Sequence, residues 1–179
     1  APQWWDETAT IFPLNKLNPL RFQFFDQYIS NWSGLQVLDV GCGGGYTCEF
    51  LARRGAVVTG IDQSSACIGA AQAHGQQMGL TINYYIGVSE QLPFESDRFD
   101  VVTCVDVLEH VQSVAATVAE ISRVLKPGSL FLFDTINRTW QSRLLMIWLL
   151  EDWLQLIPRG IHNWHQFVPP GELAQSLMQ

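Results

Sequence analysis

The stretch VLDVGCGGG, residues 37–45, decides the fold. An apolar run with strand character leads into Asp39 and then into four glycines within five positions, and the glycines stop at Tyr46, where YTCEFLARRG takes up helical spacing. Strand, bare backbone and helix in that order form the layout of a ligand crevice at the end of an α/β sheet, because Gly41 and Gly43 let the main chain approach a ligand closely. Asp62 closes the next β-branched run, 21 residues after Gly41, which completes the layout of a nucleotide-binding crevice.

The pattern continues outward in both directions. LQVLDVG, YTCEFLARRG, AVVTGID, SSACIGAAQAHGQQMG and INYYIGV alternate strand and helix, followed by a fourth strand in FDVVTCVDV. VAATVAEISRVLKPG then reads as a helix closed by Pro127 and Gly128, and SLFLFDTI as a fifth strand. Alternating units of this kind predict a doubly wound, mostly parallel Rossmann-like α/β sheet. Upstream, a Pro-punctuated start gives way to apolar residues at helical spacing through Leu20, Phe24 and Ile29, which predicts an N-terminal helical cap. Downstream, residues 138–170 are rich in Trp and Leu and read as an aromatic lid or insertion. We expect one domain over 1–179, with a cap at 1–32 and a cofactor-binding core at 33–137. The sheet stops so soon after its fifth strand that a C-terminal edge is expected beyond Gln179.

Composition narrows the function. With 179 residues and 47% hydrophobic content the chain can bury a real core. Its formal net charge of −7, with ten Lys and Arg, argues against nucleic acid as a partner, since neutralising phosphates needs a basic surface. Cys42, Cys48, Cys67 and Cys104 lie far apart without a C-x-x-C pair, which suits free thiols in a reducing compartment. The longest apolar stretch, residues 144–150, is far short of the roughly 20 residues of a membrane span. A cytoplasmic protein is expected, although a start at Ala1 rather than Met leaves localisation weakly constrained, and the oligomeric state is open.

The glycine loop departs from the dinucleotide pattern. Its third glycine would stand at residue 46, which is Tyr46, and no phosphate-binding lysine follows. Asp39 beside the loop would repel a phosphate and favour a cationic amine or sulfonium. Together VLDVGCGGG, TGID at 59–62 and the LKPGS turn resemble the class I S-adenosylmethionine-dependent methyltransferases. That resemblance implies that the glycine loop wraps the methionine moiety, that Asp62 holds the ribose hydroxyls, and that Ser89 and Glu90 border the adenine.

A narrower resemblance runs in order over nearly the whole chain. WWD at 4–6, NPLR at 18–21, the glycine loop, VVTCVDVLEHV, INRT and PRGIHNWHQFVPPGEL are similar to the ubiquinone-biosynthesis O-methyltransferases, which methylate a ring hydroxyl of polyprenylated catechols. The resemblance implies a lipophilic phenol or quinol as acceptor. It also implies cofactor contacts at Arg21, Asp39, Gly41, Gly43, Asp62, Gln63, Ser89, Glu90 and Val105. Arg21 would pair with the methionine carboxylate; a salt bridge to Asp39 or Asp6 is the alternative. Methylation of nitrogen or carbon, a non-catalytic S-adenosylmethionine-binding module and a nicotinamide oxidoreductase stay open.

The acceptor chemistry falls to Asp106, Glu109 and His110. A phenol with pKa near 10 must lose its proton before its oxygen attacks well, and a His or a divalent cation can bring that about. If a helix starts near Asp106, spacings of three and four put Glu109 and His110 on its face, giving a catalytic set and a Mg2+ or Zn2+ site. The alternative is that Glu109 caps or pairs locally, that His110 stacks on the cofactor and that Asp106 is ordinary surface. His162 and His165 are pocket candidates or solvated loop residues, and His74 reads as surface. From Arg143 to Arg159 apolar residues surround a polar stripe of Glu151, Gln155 and Arg159, joined by Asp152, which reads either as a packed helix with a wet edge or as a peripheral contact through 140–157 on the inner face of a membrane, with Trp140, Trp148 and Trp153 at the lipid boundary. Trp4 and Trp5 either staple the N-terminal arm or close over the cofactor.

Overall fold

The computed structural model describes residues 2–6, 16–142 and 167–177. Five strands form its sheet: β1 (Gln36–Val40), β2 (Val57–Asp62), β3 (Ile82–Ile86), β4 (Phe99–Val105) and β5 (Leu125–Asp134), in the order β3-β2-β1-β4-β5. All the pairings are parallel, and the order reverses beside β1. A ligand crevice is expected beyond the carboxyl ends of β1 and β4, where chain crossovers diverge to opposite faces.

The strands read as they do because of where they lie. Val37, Leu38 and Val40 of β1 and Val101, Val102 and Cys104 of β4 are all buried, as strands covered on both faces require. β3 is an edge strand of the described sheet and leaves Tyr85 and Ile86 exposed. Between the strands run α2 (Tyr46–Ala52), α3 (Ser65–Gln77) and α4 (Val114–Val124). The hydroxyl of Ser64 accepts from Cys67 N at 3.3 Å and that of Ser113 from Ala116 N at 3.2 Å, so each caps a helix that would otherwise begin with unmet N–H groups.

Two apolar clusters sandwich the sheet. One joins Phe22, Phe25, Trp32, Leu51, Val58 and Ile68; the other joins Leu38, Ile61, Phe99, Leu108, Val118 and Ile121. A short turn, α5 (Trp140–Ser142), follows β5, and α6 (Pro170–Leu177) packs on α4 through Leu173.

Two expectations need correction. The N-terminal cap is present as α1 (Asn18–Phe25), but Leu20 and Phe24 are 64% and 56% exposed. The buried side is Asn18, Phe22 and Phe25, because Phe22 rests against Trp32 and Phe50 of the core. The fourth helix ends at Val124 rather than at Gly128, and Leu125 already pairs with Phe99. Pro127 disfavours helical geometry at Lys126, and the strand absorbs the KPG turn as a register irregularity opposite 99–101.

Candidate active site

The glycine loop is tied down at its back. Gly41 N and Cys42 N both donate to Ile61 O, at 2.8 and 3.0 Å. Gly41 has φ +70°, and a Cβ there would lie 2.4 Å from Val107 Cγ2, so both conformation and space demand glycine. The Asp62 carboxylate spans the crevice edge: Oδ2 accepts from Gly43 N at 2.9 Å and Oδ1 from Ser64 N at 2.8 Å. Gln63 stands beside it, exposed. The glycine run ends at Tyr46 because α2 starts there, with left-handed Gly45 as its N-cap.

Beneath the loop Asp39 is buried. Its Oδ1 accepts from Thr103 Oγ1 at 2.7 Å and its Oδ2 from Cys48 Sγ at 3.3 Å. Burial pushes its pKa up to about 7, and the nearby Asp62 charge adds to the shift, while the Thr103 and Cys48 hydrogen bonds and Arg21 oppose it. All four cysteines are free thiols; burial raises Cys48 and Cys104 well above the ordinary thiol range.

The N-terminal arm lies on the loop. The Trp4 ring occupies the space a Cβ on Gly44 would need, 2.3 Å from Trp4 Cγ, and Trp5 Nε1 donates to Gly44 O at 2.9 Å. Both indoles meet the Tyr46 ring edge-on. His74 is therefore no idle surface residue: it stacks on Trp5, and its Nδ1 lies 2.6 Å from Oε1 of buried Glu49, whose other oxygen accepts from Arg53 at 3.0 Å. An indole at position 5 and a carboxylate on α2 converge on that imidazole, which its Ala- and Gln-rich helix could not reveal.

Arg21 reaches from α1 to the ends of β4 and β5. Nη2 donates to Asp106 Oδ2 at 2.6 Å, Nε to Asp134 Oδ2, and Nη1 to Asn18 Oδ1 at 3.3 Å. Asp106 N donates to Asp134 Oδ1 at 2.8 Å, so both Asp134 oxygens are held. Burial, then repulsion from Asp106, raises the Asp134 pKa. The ion pair expected as an alternative for Arg21 thus exists, but with Asp106 and Asp134 rather than with Asp39 or Asp6. Val105, the last residue of β4, is half-buried and pairs in register with Asp134.

The expected helical face of Asp106, Glu109 and His110 does not form. Asp106 has φ +56°, His110 N closes a single turn on Val107 O at 2.8 Å, and α4 begins only at Val114. Glu109 is 2% exposed and accepts from Thr135 Oγ1 at 2.8 Å, with its pKa raised by burial and further by Asp106 and Asp134. Asp106 faces Arg21, and His110 is exposed. No three His, Cys, Asp or Glu side chains converge to hold a metal among the described residues, so this arrangement does not fit a resident Mg2+ or Zn2+.

Ser89 and Glu90 face the start of α4. Ser89 Oγ lies 2.9 Å from Thr117 Oγ1, and Glu90 Oε1 accepts from Gln112 N at 2.8 Å and from Ser113 N at 3.4 Å. Burial works upward on Glu90, but those N–H groups, its own and the Ser89 hydroxyl outweigh it and hold the pKa low. His162, His165 and most of 140–157 lie outside the described residues; Trp140 is 68% exposed.

The molecule's relatives share this frame. A family model described as "Methyltransferase domain" matches residues 38–133. A Hahella chejuensis protein named "Ubiquinone biosynthesis O-methyltransferase" is 45% identical over 99% of this chain and 74% of its own length. The chain belongs to the ubiquinone-biosynthesis O-methyltransferase family. A second member, from Alkalilimnicola ehrlichii, is 44% identical over 97% of this chain and 70% of its own. Among solved structures, an S-adenosylmethionine-dependent methyltransferase from Mesorhizobium loti is 27% identical with a TM-score of 0.57, covering 74% of this chain and 56% of that one.

As an S-adenosylmethionine-dependent methyltransferase, the chain presents groups that fit its cofactor: a glycine turn without room for a Cβ, a carboxylate at the end of β2, and the Arg21 guanidinium at the ends of β4 and β5. Sequence reading missed Asn18, Thr103, Val107, Asp134 and Thr135. Asp134 carried a signal of its own, as a carboxylate closing a strand on the side where such sheets bind ligands, while Asn18 stands in NPLR and Thr103 and Val107 in VVTCVDVLEHV, motifs that mark the family without giving those residues a role.

Proposed function

We propose that this methyltransferase acts on the ring hydroxyl of a lipophilic catechol or quinol on the route to ubiquinone. What supports the reading above all is the 45% identity across 99% of the chain with a relative of that name. The cofactor, when bound, supplies a methyl carbon on a sulfonium, open to in-line attack. Asp62 holds the ribose hydroxyls, with Gln63 beside it, and Gly41 and Gly43 admit the chain to close approach. Arg21 takes the methionine carboxylate, Asp39 supports the loop from below through Thr103 and Cys48, and Ser89, Glu90 and Val105 border the base.

On the acceptor side, His110, exposed at the turn that follows β4, takes the phenolic proton. No helix among the described residues is long and apolar enough to cross a membrane. A lipophilic acceptor accords with peripheral contact through 140–157 at the inner face of a membrane, beginning at exposed Trp140.

Labelled S-adenosylmethionine with a short-chain prenylated catechol tests the reading, with Mg2+ or Zn2+ present and again after chelation. Methyl ether formed in both conditions supports His110 acting alone. Turnover lost to the chelator and restored by the ion would mean that Asp106, Glu109 and His110 regroup around it. Tight cofactor binding without turnover would overturn the acceptor and leave the methyltransferase class.

A further inference from the structure

Asn18 opens α1 and is 1% exposed, yet its amide is only half satisfied. Oδ1 accepts from Arg21 Nη1 at 3.3 Å, three residues further along the helix. A guanidinium can only donate, so this contact fixes which end of the amide is oxygen. The other end, Nδ2, is shielded from water and has no hydrogen-bond partner among the described residues. A buried donor left unmet is unfavourable, and a leucine of similar volume would avoid it. The site therefore carries a donor the fold does not use.

Its surroundings say what would use it. Arg21 commits Nε to Asp134, Nη2 to Asp106 and Nη1 to Asn18, three of the five N–H groups a guanidinium carries. Two remain, on a head group clamped by two carboxylates. The amide whose Nδ2 is unused is thus the same one that touches Arg21 Nη1, and Arg21 itself reaches Asp106 and Asp134 at the ends of β4 and β5. Beside those two carboxylates, the N–H groups left over on the guanidinium and the amide match a planar group with two acceptor oxygens.

We propose that Asn18 is a second anchor for the carboxylate at the methionine end of the cofactor, sharing it with Arg21. The inference rests on the S-adenosylmethionine reading above and adds a residue to it. Asp106 and Asp134 orient the guanidinium, and Asn18 supplies the extra donor that selects a ligand bearing the amino-acid moiety over a bare thionucleoside.

Titration calorimetry on the full chain tests this with two ligands: S-adenosylhomocysteine, and methylthioadenosine, which keeps the nucleoside and sulfur but lacks the carboxylate. Asn18→Leu is expected to weaken S-adenosylhomocysteine about 10-fold or more and to leave methylthioadenosine within about 2-fold. Asn18→Asp keeps the acceptor for Arg21 and puts a third carboxylate in place of the donor, so it should lose S-adenosylhomocysteine further and still bind methylthioadenosine. An equal loss for both ligands, or none for either, would overturn the proposal and leave Asn18 as a structural residue of α1. Failure of the unaltered chain to bind either nucleoside would instead overturn the cofactor reading itself.

Discussion

The indole of Trp5 lies flat on the imidazole of His74, with ring centroids 3.6 Å apart and planes 5° from parallel. Because Trp5 also donates to Gly44 O and Trp4 covers Gly43 and Gly44, this stack fastens the N-terminal arm across the cofactor loop. The imidazole cannot swing away while buried Glu49 holds its Nδ1. An aromatic pair is worth ~0.5–1.5 kcal/mol beyond burial. Trp5→Ala or His74→Ala should therefore speed release of S-adenosylhomocysteine about 2- to 12-fold, read by stopped-flow fluorescence. An unchanged rate would reduce the arm to a staple of the N terminus.

Asp39 makes stability depend on pH in a specific direction. Its folded pKa, raised to about 7 mainly by burial, stands above the ordinary range of an aspartate, so the folded state keeps a proton that the unfolded chain gives up. The associated stability is fully present below about pH 4, falls as pH rises, and is gone above about pH 7, a change on the order of 4 kcal/mol. Glu109 and Asp134 are raised too and slope the same way, so the comparison must be between variants. Urea unfolding of Asp39→Asn from pH 4 to 8 should give a profile flatter than that of the unaltered chain; parallel profiles would show that Asp39 is ionised when buried.

Gly41 is predicted to tolerate nothing larger. Left-handed geometry costs an L-residue ~1–2 kcal/mol, and overpacking against Val107 Cγ2, 2.4 Å from the added Cβ, costs a further ~1–3 kcal/mol. Gly41→Ala should lose about 2–5 kcal/mol in denaturant unfolding, and Val107→Ala in the same chain should recover the packing part alone. Full recovery would mean that φ +70° carries no strain here.

The alternation of strands and helices was legible because each strand of the sheet is a short apolar run next to a helix, and the glycine loop because bare backbone beside Asp39 has few other uses. Asp62 was legible for the same reason, as the last residue of β2. The face of α1 was not: Leu20 and Phe24 repeat at helical spacing as well as Phe22 and Phe25 do, and only the position of Trp32 and Phe50 decides between them. Spacing also misled at 106–110, since intervals of three and four imply one face only if the backbone is helical, and left-handed Asp106 ends that possibility. Asp134 and Thr135, distant in the chain from Arg21 and Glu109, join them only through the β4–β5 pairing.

His110 is the residue whose replacement separates binding from chemistry. Positioned general bases contribute about 10²- to 10⁴-fold to rate. His110→Ala should lower kcat within that range while S-adenosylhomocysteine binds as before, because the glycine loop, Asp62 and Arg21 are untouched. The pH profile adds a readout that a structural role would not move: the acidic limb of kcat/KM in the unaltered enzyme should vanish in the variant, leaving a rate that climbs with pH toward the pKa of the phenol itself. A variant with unaltered kcat would pass the proton to another group, and Glu109→Gln would then be the decisive comparison. Its carboxyl, raised by burial and by the neighbouring Asp106 and Asp134 charges, needs only to leave Thr135 to accept a proton.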